Sequence, residues 1–165
     1  MIPLVVHALY CGALLSVLLG VLFAIVAIVN AEIWLPDYPP DIRARFGPIS
    51  DKARKQRQWV ALPFGAILVG VLAWGIRAWA ARTGDMAFAD AFVITFVAFN
   101  TFNVFDLIVL DWLLFIVIRP PQIVLPGTKG APGYRDFRFH VRASGKGLLG
   151  SIVLAALAGG IAVAL

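Results

Sequence analysis

The sequence predicts an all-α, polytopic integral membrane protein: a single four-helix bundle over residues 1–165 with both termini on the outer side. Three observations predict it. Of the 165 residues, 61% are hydrophobic and only 14% are charged, with a mean hydropathy of +0.91. A water-soluble fold of this size could not cover such a composition. The charges lie in clumps separated by four apolar stretches, each near the ~20 residues a helix needs to cross a bilayer. The Lys and Arg residues concentrate in alternate connections, as retention of basic loops in the cytoplasm requires. Together these exclude an ordinary cytosolic enzyme, a disordered chain and a nucleic-acid-binding domain, despite a pI of about 9.9. A single cysteine excludes an intramolecular disulfide and a cysteine-built zinc site.

The first helix is expected over about residues 2–31, because Met1 to Ala31 carries no Asp, Glu, Lys or Arg. It lacks the basic start of a secretion signal, and its apolar run continues past any plausible cleavage point. Tyr10 stands just before Cys11, where lipoprotein processing needs a small residue, so the span is expected to remain as a membrane helix. The first cytoplasmic loop, 32–56, opens with Pro36, Pro39 and Pro40, which turn or extend the backbone. Ser50 and Asp51 suit a helix start, from which a helix can run directly into the second span, expected at 57–80. The basic cluster there marks topology, and Arg54, Lys55 and Arg57 offer a contact to anionic lipid.

The third span is expected over 87–118, and its apolar stretch holds Asn100, Asn103, Asp106 and Asp111. The second cytoplasmic loop, 119–145, is rich in Pro and Gly. Within it, Pro126-Gly127-Thr128-Lys129-Gly130 resembles half of a phosphate-cradling loop but lacks the strand, helix and full spacing, and reads as a turn. From Tyr134 to Arg142 apolar and polar residues alternate, which suits a short extended piece at the interface. The fourth helix is expected over 146–165. Residues 32–57 and 119–146 hold six basic residues each, and the middle connection only Arg77 and Arg82. That alternation places both termini outside.

Small residues recur every fourth position at Gly12, Ser16 and Gly20, and again at Gly147, Ser151, Ala155 and Gly159. Such ridges let helices approach closely in lipid, here against each other or against a second copy. Gly65, Gly70 and Gly75 have a five-residue spacing that does not stay on one α-helical face.

At about 100° per residue, Asn100, Asn103, Asp106 and Asp111 occupy an arc of roughly 140°. A carboxylate at that depth costs ~2.5–3.5 kcal/mol or more, so the pair calls for a reason. One reason is a site for a cation, a proton or a small cationic molecule, with Glu32 and His140 as contributors from the cytoplasmic side. The other is structural: neutralisation by Arg119 or Arg138, or bonds to a neighbouring helix. Metal and cofactor content stay open. Carboxylate and imidazole suit several metals, but the spacing demands none. His7 and Cys11 share a face as a weak pair, and the topology puts His7 and His140 on opposite sides, against a shared haem.

Taken together, LPDYPPDIRARFGPIS, NVFDLIVLDW, LPGTKG and GYRDFRFH resemble a group of small bacterial four-span membrane proteins. The resemblance covers the first loop through the third. It implies the bacterial inner (cytoplasmic) membrane, brings no assigned activity or site, and draws attention to Asp37, Asp106, Asp111 and His140. Three functions remain in play. The first is binding or passage of a cation, proton or small cationic ligand, with four helices calling for a homo-oligomer if passage is involved. The second is a non-catalytic accessory or scaffold subunit docked to a membrane partner. The third is a membrane enzyme acting on a lipid or lipophilic substrate. The expected partners are the bilayer and either further copies or a partner subunit, with no nucleic acid.

Overall fold

A computed structural model describes residues 1–164 and contains, among them, helices and turns but no strand. Helix α1 runs over Ile2–Asn30 and passes into a 3-10 segment, Ala31–Asp37. A short helix α2, Pro40–Phe46, precedes α3 over Asp51–Thr83. Helix α4 covers Phe88–Phe105 and continues as a π-helical segment, Asp106–Ile118. Two 3-10 turns, Pro121–Ile123 and Pro132–Arg135, lead to α5, Phe137–Ala164. Four helices are long and apolar enough to cross a membrane.

In α1 both faces are apolar, so hydrophobicity alone cannot choose the inner one. Leu4, Ala8, Cys11, Leu15 and Leu19 are buried, while Val6, Leu9, Val17 and Val21 are exposed. The inner face is the one carrying small residues, as packing in lipid favours. Gly12 abuts Ala98 and Thr101 of α4, and Gly20 meets the Phe105 ring. The second ridge meets the same helix: Gly147 faces Asn103 and Gly159 faces Phe88. Both ridges therefore pack on α4, which is the central helix. Helix α3 completes the core, with Val71 and Leu72 joining Cys11, Leu15, Leu19, Ala98 and Phe102. Of the three α3 glycines with five-residue spacing, only Gly75 is a close approach, against Cys11 Sγ; Gly65 and Gly70 face open space.

Helix α3 starts where Ser50 permits: its hydroxyl accepts the Ala53 N–H at 3.2 Å. It stops at Gly84, whose φ of +80° is a left-handed conformation that glycine adopts without strain.

The first and third loops lie at the same end of the bundle and share a core of their own, with Leu35, Tyr38, Ile42, Leu125, Ala131 and Tyr134 buried together. Tyr38 Oη donates to Ile123 O at 2.8 Å, and the Gly133 N–H donates to Asp41 Oδ2 at 2.8 Å. Burial, and then the neighbouring Tyr134, pushes the Tyr38 hydroxyl above the ordinary tyrosine range and keeps it a donor. The 126–130 stretch is a turn, with φ of +75° at Gly127 and +78° at Gly130. Buried Thr128 bonds Leu125 O at 2.7 Å and lies 2.8 Å from Tyr134 Oη.

One segment differs from expectation. Residues 134–142 are not extended: a 3-10 turn ends at Arg135 and α5 begins at Phe137, nine residues before the expected 146. Asp136 Oδ1 accepts the Phe139 N–H at 3.0 Å and caps the first turn. His140, Ser144, Gly147, Ser151, Ala155 and Gly159 then fall at three- and four-residue steps along one helix face. That longer period prevails over the local alternation.

Candidate functional site

Past Phe105 the third span changes its winding. Hydrogen bonds reach five residues back, ending with the Arg119 N–H to Leu114 O at 2.8 Å. Such turns are rare and gather at functional sites. The change decides where the two carboxylates point. Under α winding, residues five apart lie about 140° apart. With i→i+5 turns they stack, so Asp106 and Asp111 share one face. The segment ends at Arg119, in a left-handed conformation with φ of 46°. Its guanidinium donates to Ile116 O and Tyr134 O, each at 2.7 Å.

The stacked carboxylates face a cleft at the loop end of the bundle. It has two lobes, of about 140 Å³ and 490 Å³, sharing a wall of Phe23, Trp34, Asp37, Asp106, Asp111 and His140. The smaller lobe lies under the loop cap and adds Tyr38, Leu110 and Phe115. The larger adds Arg57, Val60, Phe64 and Phe139. Phe23 stacks on Trp34 with ring centres 4.3 Å apart, and Phe115 stands edge-on to His140 at 5.1 Å.

His140 is 4% exposed. Its Nδ1 lies 2.9 Å from Asp111 Oδ1, and its Nε2 is buried with no protein partner. The carboxylate thus orients the ring and fixes Nδ1 as the donor, leaving Nε2 as the available nitrogen. The Asp106 carboxylate makes no hydrogen bond or ion pair among the described residues. At the mouth, Asp37 pairs with Arg57 at 2.7 Å, and Arg57 also donates to Ile33 O at 2.9 Å.

The other candidates sit elsewhere. Asn100 Nδ2 donates to Phe96 O and to Ser151 Oγ, both at 2.8 Å, and Asn103 Nδ2 donates to Ser144 O at 3.0 Å. Both tie α4 to α5, and neither lines the cleft. Glu32 Oε1 accepts the Ser50 N–H at 2.6 Å, away from the cleft. Arg119 spends its guanidinium on carbonyls, and no Lys or Arg among the described residues forms an ion pair with Asp106 or Asp111. Among the described residues no group of three or more His, Cys, Asp or Glu side chains is arranged to hold a metal ion. On the opposite end, His7 is held by Gly75 O at 2.8 Å and Cys11 is buried against it.

Sequence reasoning missed the aromatic wall of Phe23, Trp34, Tyr38 and Phe115, and the Asp37–Arg57 pair. Asp37 lay within a recognisable string, but nothing in its spacing joined it to the third span. Nothing in the sequence marked the π winding, since the same five-residue spacing at Gly65, Gly70 and Gly75 lies in an α-helix. No family model, no curated protein and no solved structure matches the chain.

Proposed function

We propose that this is a multi-pass protein of the bacterial inner membrane, with both termini outside, that binds a small cationic ligand in the loop-side cleft. The observation that carries the reading is the stack of Asp106 and Asp111 on one face of the π segment, lining a cleft with no Lys or Arg bonded to either. A carboxylate within a membrane span is costly and by default functional. A cation arriving from the cytoplasm supplies a partner for Asp106, whose carboxylate has no ion pair among the described residues. Passage across the membrane would require further copies of the chain, so binding is the core of the proposal. Contact with anionic lipid falls to exposed Lys55 and to Arg54, whose 3.4 Å pair with Asp51 is solvent-exposed, since Arg57 is held by Asp37 and Ile33 O.

Asp106→Asn tests it. The substitution keeps the shape and strands no basic partner, so stability in detergent should hold while cation binding measured by calorimetry is lost. A stable variant that binds every tested cation as the wild type does removes Asp106 from the site and refutes the proposal.

A further inference from the structure

We infer that the ligand is a hydrogen-bond-donating organic cation, a primary or secondary ammonium on an apolar body, and that His140 Nε2 is the acceptor that selects it. This rests on the cationic reading above and narrows it. The cluster of carboxylates alone would suit any cation. The second observation is the ring itself: His140 is 4% exposed, lines both lobes, and has an Nε2 with no protein partner.

Asp111 accepts the Nδ1 proton at 2.9 Å, so in the neutral ring the Nε2 lone pair is left buried without a protein partner in the wall of the cleft. A buried polar atom without a partner is disfavoured, and a ligand N–H satisfies it. Asp106 provides the negative charge on the same face. The stacked Phe23 and Trp34 rings provide a wall for a hydrocarbon body, while the Trp34 ring already carries the Arg57 guanidinium 5.9 Å from its centre. An alkali ion seeks several oxygens and would leave the aromatic wall unused. A quaternary ammonium would use the wall and the charge but has no N–H for His140. The chemistry that uses all three elements is a protonated amine with an apolar tail. Such a group comes from a free amine or from an aminolipid headgroup, and the cleft's place beside the spans admits both.

The test uses the full chain in detergent, titrated by calorimetry with 2-phenylethylammonium, its N,N,N-trimethyl analogue, and potassium chloride. A hydrogen bond to a charged donor predicts that the primary amine binds at least about tenfold tighter than the trimethyl form. His140→Phe should abolish that preference while leaving the trimethyl compound bound. Equal binding of both amines by the wild type overturns the His140 inference and leaves the cationic reading standing. Failure of both amines, with potassium bound, overturns the organic-cation inference; no binding of any cation overturns the cationic reading itself. If His140→Phe does not fold, the nitrogen-15 signal of the wild-type His140 Nε2 decides: it should move on adding 2-phenylethylammonium and stay fixed with the trimethyl analogue, and no movement with either overturns the His140 inference. Repeating the titration in nanodiscs of phosphatidylcholine with and without phosphatidylethanolamine identifies the source. Competition by the aminolipid assigns a headgroup, and its absence assigns a free amine.

Discussion

Replacing Gly12 with alanine should loosen the bundle, and the geometry sets the scale. A Cβ at Gly12 would stand 2.5 Å from Thr101 Cβ and 2.9 Å from Ala98 O. Carbon atoms pack best at about 3.5–4.0 Å, so the contact is short by about 1 Å. Neither neighbour can step aside, because one is backbone and the other is a β-branched residue with a stiff side chain. The helices must part instead. A gap of ~0.5–1 Å forfeits a quarter to a half of each contact along the interface, and overpacking of this kind costs roughly 1–3 kcal/mol. Gly70→Ala is the matched control, with nothing within 4 Å of the added methyl. It should gain up to about 1 kcal/mol from helix propensity alone. Reversible unfolding in mixed dodecyl maltoside and SDS micelles, followed by tryptophan fluorescence, measures both variants. The reasoning fails if Gly12→Ala is as stable as wild type while Gly70→Ala behaves as expected.

Other outcomes follow from the same contacts. Asp111→Leu removes the acceptor for His140 Nδ1 and should destabilise the fold by roughly 1–3 kcal/mol; Asp111→Asn, whose amide oxygen still accepts, should recover most of that in the same unfolding assay. Asp41→Ala strands the buried Gly133 N–H and should speed tryptic cleavage at Lys129 and Arg135; an unchanged digestion rate would show that this bond does not hold the loops together. Because Cys11 is fully buried, cysteines introduced at Asp85, Arg45 and Lys129 can report sidedness. Only the one at Asp85 should react in intact cells, and the reverse pattern would invert the orientation.

The four long apolar helices were legible because bilayer-length apolar runs and clumped charges leave few alternatives. The ridges were legible as ridges, since Gly12 and Gly159 sit in repeats that helical geometry puts on one face. Their shared partner was not, because a small residue announces close approach without saying to what. The start of α5 was obscured by a local alternation from Tyr134 to Arg142 that also fits a strand. Following the Gly147–Gly159 period backward through Ser144 reaches His140 and recovers the helix. The candidate site was half legible. Asp106, Asp111 and His140 stood out as ionisable residues in or beside apolar sequence, yet α-helical angles grouped Asn100 and Asn103 with the carboxylates. The structure gives those amides to the α4–α5 contact. A fixed 100° step has no way to express a change of winding at residue 106.

That winding makes the length of the segment part of its chemistry. Five residues separate the two carboxylates, and only i→i+5 turns stack them. A chain one residue shorter between them would keep both within about 40° of each other by returning to α winding. A chain of the same length wound as an α-helix would send them about 140° apart. Single-residue deletions between Asp106 and Asp111 are therefore a milder perturbation of the carboxylate pair than their position within a helix would imply.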